Sequence, residues 1–219
     1  MTRTDRNWFE QFKEWKTLWV HDSMKRSPHV VLPDESHADG CFQSELFFEN
    51  PFEVDSASHE LWRLVRRNGI EAHTVDRVVS PSIGTSILAH ELAYIIAAER
   101  MSHVRRSYLD QISDDPKALC FVNSIEKGER VLIVDDEVHK LDRLNSAETA
   151  ALSLGAYVHS VFPVLVNHTG HETFNRRKIV SLVTIHTKKW QKDRCDLCRM
   201  GSKGLPLNRE NWQKLFERH

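Results

Sequence analysis

Two adjacent carboxylates, Asp135 and Asp136, directly follow the apolar run at residues 131–134. Ligands of open α/β sheets sit beyond the carboxyl ends of strands, so paired acids in that place suit ligand chemistry. They can accept hydrogen bonds from a ribose diol, or hold Mg2+ directly or through water. The plainer reading is a polar strand end whose Asp caps a turn. A second candidate is SPSIGTS, residues 80–86. Small residues between a strand and a helix present backbone N–H groups and hydroxyls at the helix N-terminus, which suits phosphate or pyrophosphate. Ser82, Gly84, Thr85 and Ser86 are the contacts expected there.

Cys195 and Cys198 stand in CDLC, the spacing of metal ligands, but make only half of a structural Zn2+ site. Cys41, Cys120 or a histidine would have to complete it. The favoured reading is a turn with two packed or exposed thiols, with zinc as the alternative. In NHTGH, His168 and His171 lie three apart after a strand. No metalloprotease-type carboxylate motif accompanies them, so they read as loop histidines.

The elements that must position these residues follow from periodicity. Trp8, Phe12, Trp15 and Trp19 fall on one helical face, which predicts an N-terminal helix docked on the core or on a partner subunit. Its polar face mixes both signs of charge and so suits a membrane surface poorly. A second helix is expected from about Asp55 to Asn68, stopped by Gly69. RVVS, RVLIVDD, YVHSVFPVLV and IVSLVTIHT read as buried strands, the last of these as the final strand of the chain. ILAHELAYIIAAE and NSAETAALSLGA read as helices, and a short helix closes the sequence. Strands alternating with helices imply an α/β fold with a central, mostly parallel sheet flanked by helices. SHVRRSYLDQISDD is polar with no clean period and reads as containing a mobile loop.

Composition sets the outer limits. The 219 residues suffice for one domain with a substantial core. The net charge of -1 supplies no global field to recruit nucleic acid. No apolar run has membrane-spanning length, and the polar start MTRTDRNWFE lacks a signal core, so a cytoplasmic protein is expected.

Four blocks resemble the type I phosphoribosyltransferases, most closely the orotate phosphoribosyltransferases, in the family's order. HVVLPDESHADGCFQSELFFENP resembles the substrate-loop segment, and DRVVSPSIGTSILAHELA the pyrophosphate-loop strand and helix. GERVLIVDDEV resembles the strand with the acidic pair, and CDLCRMGS a tail seen in some members. The resemblance implies a parallel sheet with a small N-terminal hood, a homodimer, and Mg2+-dependent use of phosphoribosyl pyrophosphate. It divides the chain into an N-terminal amphipathic helix (1–27), a phosphoribosyltransferase-like domain (28–200) and a C-terminal tail helix (201–219).

The resemblance also locates two departures. Where the family wraps the 5′-phosphate with a Thr- and Gly-rich loop, this chain has HKLDR, residues 139–143. Without glycine a tight N–H nest is hard to form. His139, Lys140 and Arg143 are then the expected side-chain contacts, while Asp142 repels phosphate. Where the family keeps a mobile catalytic loop with lysines and a histidine, the chain offers His103, Arg105 and Arg106. The implied reaction is transfer of phosphoribosyl to orotate or a related pyrimidine, with Asp135, Asp136, Arg105 and His103 as the catalytic set. The partners would be a ribose phosphate and a nucleobase, with neither nucleic acid nor membrane. The alternative is a catalytically retired, regulatory nucleotide- or ribose-phosphate-binding protein on the same frame.

Overall fold

The structure, a computed structural model, describes residues 7–22, 27–111 and 119–217. In chain order the elements begin with α1 (Trp8–Glu14), β1 (Leu18–Val20), β2 (His29–Val31), β3 (His37–Ala38), β4 (Gly40–Phe42), α2 (Ser44–Phe48) and α3 (Pro51–Arg67). The middle of the chain forms β5 (Arg77–Ser80), α4 (Ser86–Arg100), β6 (Arg105–Gln111), β7 (Leu119–Phe121), β8 (Arg130–Ile133), β9 (Asp135–Val138) and α5 (Asp142–Ser153). Then come β10 (Tyr157–Val158), β11 (Val161–Asn167), β12 (Thr173–Phe174), β13 (Arg177–Thr184), β14 (Lys189–Trp190), α6 (Asp196–Arg199), β15 (Gly204–Pro206) and α7 (Arg209–Lys214). They form two compact units, residues 48–185 and residues 1–47 with 186–219. The N-terminal segment and the C-terminal tail, separate in the sequence reading, thus share one unit.

The 48–185 unit carries the expected parallel sheet. β5 pairs in parallel with β6 on one side and β8 on the other, and β8 pairs with β10. β11 lies in parallel between β9 and β13. β8 and β9 are halves of one run broken at Val134, and β10 and β11 are halves of the next, so the two sheets are joined through both runs. Val134 keeps its own tie to the sheet, its N–H donating to Val79 O at 2.9 Å. The buried apolar centres of β5, β8 and β11 fit a sheet covered on both faces. One face packs Ile133, Val164 and Phe162 against Leu144, Ala147 and Ala151 of α5. The other carries α3 and α4, whose Leu61, Val65, Leu88, Leu92 and Ile96 are fully buried.

α3 starts earlier than expected, because Pro51 stands in its first turn, where a missing N–H costs nothing. It stops where expected, at Gly69 with φ 85°. Half of the segment read as containing a mobile loop forms β6. Tyr108 pairs with Ser80 of β5 and Leu109 with Phe121 of β7, while residues 112–115 of that segment lie outside the described residues.

In the other unit the aromatic periodicity overstated the first helix. Lys16 adopts a left-handed φ of 56°, and the Thr17 N–H bonds back to Phe12 O at 2.9 Å, which ends α1. Trp19 then lies in β1 opposite Cys41, with its indole N–H on Leu215 O at 3.0 Å. Phe12 packs on Phe42 and Phe47 with ring centroids 5.1 and 5.3 Å away. Trp8, Phe12 and Trp19 are buried within this unit, so these aromatics dock on their own core. The remaining sheet runs β14-β3-β2-β15, so the chain has two short strands beyond the one expected to be last. Among the described residues no helix is long and apolar enough to cross a membrane.

At the amino ends of β5 and β8 the sheet is pinned by a buried ion pair. Arg77 Nε donates to Glu129 Oε1 at 2.9 Å, both side chains are almost fully buried, and Arg77 also donates to Ser124 O at 3.0 Å. Removing one partner of such a pair leaves a buried charge unmatched. Glu129→Ala is therefore expected to cost about 3–5 kcal/mol, and replacing both partners by Met little or nothing. Urea unfolding of the two variants checks this, and equal losses would refute it.

Candidate functional site

The chain runs from β5 to β6 on one side, then returns to place β8 on the other side of β5. Strand order therefore reverses between β5 and β8, and crevices in α/β sheets open at such reversals. The loop after β5 is SPSIGTS, and the residues after β8 are Asp135 and Asp136. The two motifs found in the sequence thus flank one switch point.

In the loop, Ser80 Oγ and Thr85 Oγ1 donate to Ser82 O at 3.0 and 3.2 Å, which fixes the turn into α4. Ile83 and Gly84 are exposed, and Ser86 is the first residue of α4. Asp135 is almost fully buried and Asp136 nearly so. Their carboxylates accept from the next backbone N–H groups, Asp136 N to Asp135 at 3.0 Å and Glu137 N to Asp136 at 2.8 Å. Burial, and next the Asp136 charge, push the Asp135 carboxyl well above the usual carboxylate range, against the pull of Arg143.

Arg143 closes the constellation. From the first turn of α5 its Nη2 lies 2.7 Å from Asp135 Oδ1, 3.3 Å from Asp136 Oδ1 and 3.3 Å from Ser82 Oγ. Sequence reasoning gave this arginine to a phosphate, whereas the structure ties it to the acidic pair and the loop. The oxygen donors suit a divalent cation, but a guanidinium already stands against them.

The glycine-free turn is shorter than the HKLDR block, because Asp142 and Arg143 already belong to α5. Leu141 holds the cap position with no side-chain capping bond, and Asp142 puts negative charge in the first turn. His139 lies beside Glu137 and His168. Its Nε2 lies 3.1 Å from Glu137 Oε2, and its ring stacks on His168 at 3.7 Å. His168, read from the sequence as a loop histidine, is buried, with Nε2 3.2 Å from the same Glu137 oxygen. Burial pushes the Glu137 carboxyl up, but the two imidazoles outweigh it and hold it at about 2. Glu137 and His168 escaped sequence reasoning because their partners are neighbours across β9 and β11, with no motif spacing. Lys140 stays exposed at the turn.

His103 and Arg105 do not join this site. Arg105 opens β6 beside Arg77, at the amino end of the sheet, and pairs with Glu126 at 2.6 Å and Glu129 at 3.1 Å. His103 lines the same polar hollow with Asp76 and Arg100. A strand separates both from the acidic pair. Cys195 and Cys198 lie in the other unit, as does a cleft of about 590 Å³ whose lining includes His21, His186, Lys188, Trp190 and Arg199.

No family model matches the chain. Among curated proteins it is 29% identical over 187 residues to the orotate phosphoribosyltransferase of Caldanaerobacter subterraneus, covering 85% of this chain and 90% of that one. It is 23% identical over 205 residues to that of Campylobacter fetus, covering 84% and 92%. Among solved structures, the orotate phosphoribosyltransferase of Aeropyrum pernix superposes with a TM-score of 0.61 at 16% identity, over 80% of this chain and 92% of that one. The UMP synthase of Leishmania donovani gives 0.59 at 14% identity, over 95% of this chain and 40% of that one. The chain therefore has the type I phosphoribosyltransferase fold, and its likeness to orotate phosphoribosyltransferases runs along most of its length, as its four blocks implied.

If Arg143 is the counter-ion of the pair, Arg143→Ala leaves Asp135 and Asp136 facing each other. Losing a charge-assisted contact should cost about 1.5–3 kcal/mol at pH 8. Asp135 already has a raised pKa in the folded state, and losing Arg143 raises it further. Its ionisation then opposes folding at high pH, and the deficit shrinks as pH falls and the carboxyl protonates. Urea titrations at pH 8 and pH 5 measure the difference. A deficit independent of pH would place Arg143 elsewhere in solution.

Proposed function

We propose that the protein is a phosphoribosyltransferase that moves the phosphoribosyl group of phosphoribosyl pyrophosphate onto a ring nitrogen of orotate or a related pyrimidine, releasing pyrophosphate. The observation that carries this reading is the acidic pair at the β5/β8 switch point, facing the SPSIGTS loop. It stands in a chain whose curated relatives are named for that activity. In the proposed roles, the backbone of residues 82–86 cradles pyrophosphate at the start of α4. Asp135 and Asp136 hold the ribose diol, and the exposed Lys140 meets the 5′-phosphate by side chain. Asp136, the less buried of the two acids, would also hold Mg2+, which supplies positive charge against the departing pyrophosphate. Arg143 must leave the acidic pair for this to happen, and its half-open side chain allows that. A homodimer in the cytoplasm is the arrangement that the family likeness supports.

A second reading is favoured by one observation, the guanidinium already seated on the acidic pair. It describes a regulatory protein that binds a ribose phosphate without turning it over.

Pyrophosphate release from phosphoribosyl pyrophosphate, orotate and Mg2+ separates the two. Release is expected, and Asp136→Asn should lower kcat/KM about tenfold to hundredfold, the equivalent of one charge-assisted contact. Calorimetric binding of phosphoribosyl pyrophosphate with no release, across orotate and uracil, would overturn the first reading in favour of the second.

A further inference from the structure

We infer that His29 Nε2, His37 Nδ1, Cys195 Sγ and Cys198 Sγ form a structural Zn2+ site that staples the N-terminal hairpin to the C-terminal tail. The site lies wholly within the unit of residues 1–47 and 186–219, and it does not depend on the reaction proposed above.

The four ligand atoms all lie within 4.8 Å of one another. Cys195 Sγ is 3.6 Å from His29 Nε2, and Cys198 Sγ is 3.5 Å from His29 Nε2 and 3.3 Å from His37 Nδ1. With Zn–N near 2.0–2.1 Å and Zn–S near 2.3 Å, a tetrahedron has N–S edges of about 3.5 Å. The three nitrogen–sulfur distances match that edge. The two imidazole nitrogens are closer, at 2.7 Å, and would open by roughly half an ångström around an ion. Both cysteines are free thiols rather than a disulfide.

The surroundings fix the ligands in the form a metal needs. Ser202 Oγ spends its only proton on Ser27 O, at 2.5 Å. It must therefore accept from His29 Nδ1, 2.8 Å away. His29 then carries its proton on Nδ1 and turns the lone pair of Nε2 into the cluster. This is the outer hydrogen bond that orients metal-bound histidines. Cys195 Sγ accepts from the Cys198 N–H at 3.4 Å, which suits a thiolate in the turn between the two cysteines. The turn ends at Gly201, whose φ of 88° is in the left-handed region. Gly204 brings β15 close beside the cluster. A Cβ there would lie 2.8 Å from Val31 Cγ2, 3.3 Å from His37 Cε1 and 3.4 Å from His29 Nε2, so no side chain fits.

Two nitrogens and two sulfurs in a tetrahedral arrangement select zinc, and four protein ligands leave no open position for a substrate. The role is therefore structural. β2 and β3 supply the histidines, and the turn into α6 supplies the thiols, more than 150 residues later in the chain. The small core beside them, with Val30, Ala38, Leu205 and Trp212, joins the same two distant segments. A metal clip there offsets the limited burial that so small a unit can achieve.

The test is metal content of the full-length chain, purified without a metal-affinity column, equilibrated with Zn2+ and desalted. Elemental analysis should find about one zinc per chain, as a closed four-ligand site requires. His37→Ala and Cys198→Ser should each abolish it, and Cys120→Ser, at an exposed thiol outside the cluster, should keep it. Should the ligand variants fail to fold, titrating the parent's thiols with an organomercurial gives the same answer. Zinc should be released as two thiols react. Co2+ in place of zinc should show the intense absorption of a tetrahedral thiolate complex. Zinc below about a fifth of the stoichiometry a filled site requires, zinc retained by Cys198→Ser, or iron in place of zinc would each overturn the assignment. These readouts record metal rather than turnover, so an inactive but zinc-loaded chain would count against the proposed reaction alone.

Discussion

Val134 is where the central strand changes partners, and the placement of the acidic pair depends on that change. Up to Ile133 the run is hydrogen-bonded to β5 and β10, and from Asp135 onward it is bonded to β11. β5 ends at Ser80, so beyond Val134 the run has lost its neighbour on that side. The gap left by β5 is the crevice. Asp135 and Asp136 are the first residues past the break, and the SPSIGTS loop turns away above the same gap. The apolar run before the break holds the acids at a fixed depth, because Val131, Leu132, Ile133 and Val134 are all fully buried. A polar residue there would forfeit burial and loosen the geometry of both carboxylates at once.

That fixed depth has an electrostatic consequence. Two carboxylates this close and this buried cannot both ionise without a cation, since desolvation and mutual repulsion act in the same direction. Arg143 supplies the cation from the first turn of α5, and its contact with Ser82 ties the α5 turn to the loop before α4. The four groups form one network, so changing any of them disturbs the contacts of the others. Glu137, the next residue, is handled separately by His139 and His168. Three consecutive acids thus meet two different sets of partners.

Much of this was legible in the sequence, and the failures have physical causes. Apolar runs ending in Asp-Asp and in Ser-Pro-Ser marked β8 and β5, and Gly69 and Gly155 marked two helix ends, because each signal is local. Trp19 was misread because a helical period fits any four aromatics at suitable spacing, while the positive φ at Lys16 leaves no sign in composition. Arg105 sits at the other end of the sheet because its partner, Glu129, stands just before β8, two strands over and 24 residues away. His29 and His37 showed no motif at all. They meet Cys195 and Cys198 only because β2 pairs with β15 across most of the chain's length. The Cys-x-x-Cys spacing pointed to half of that cluster, and the half supplied by tertiary pairing was invisible.

The absence of glycine before α5 bears on the chemistry through charge rather than through backbone shape alone. A glycine nest would present N–H dipoles to a phosphate and leave the acidic pair free. Here the same segment delivers an arginine to the acids and an aspartate to the helix start, so the anion site and its counter-charge are coupled. Burial pushes the Asp135 carboxyl toward its neutral form, which weakens the hold of the pair on Arg143. An arriving phosphate carries nearly two at neutral pH, and it stands in a more open place where the guanidinium keeps part of its hydration. Whether Arg143 guards the crevice or serves it is therefore a question of which anion offers it more charge, and the burial of Asp135 works in the phosphate's favour.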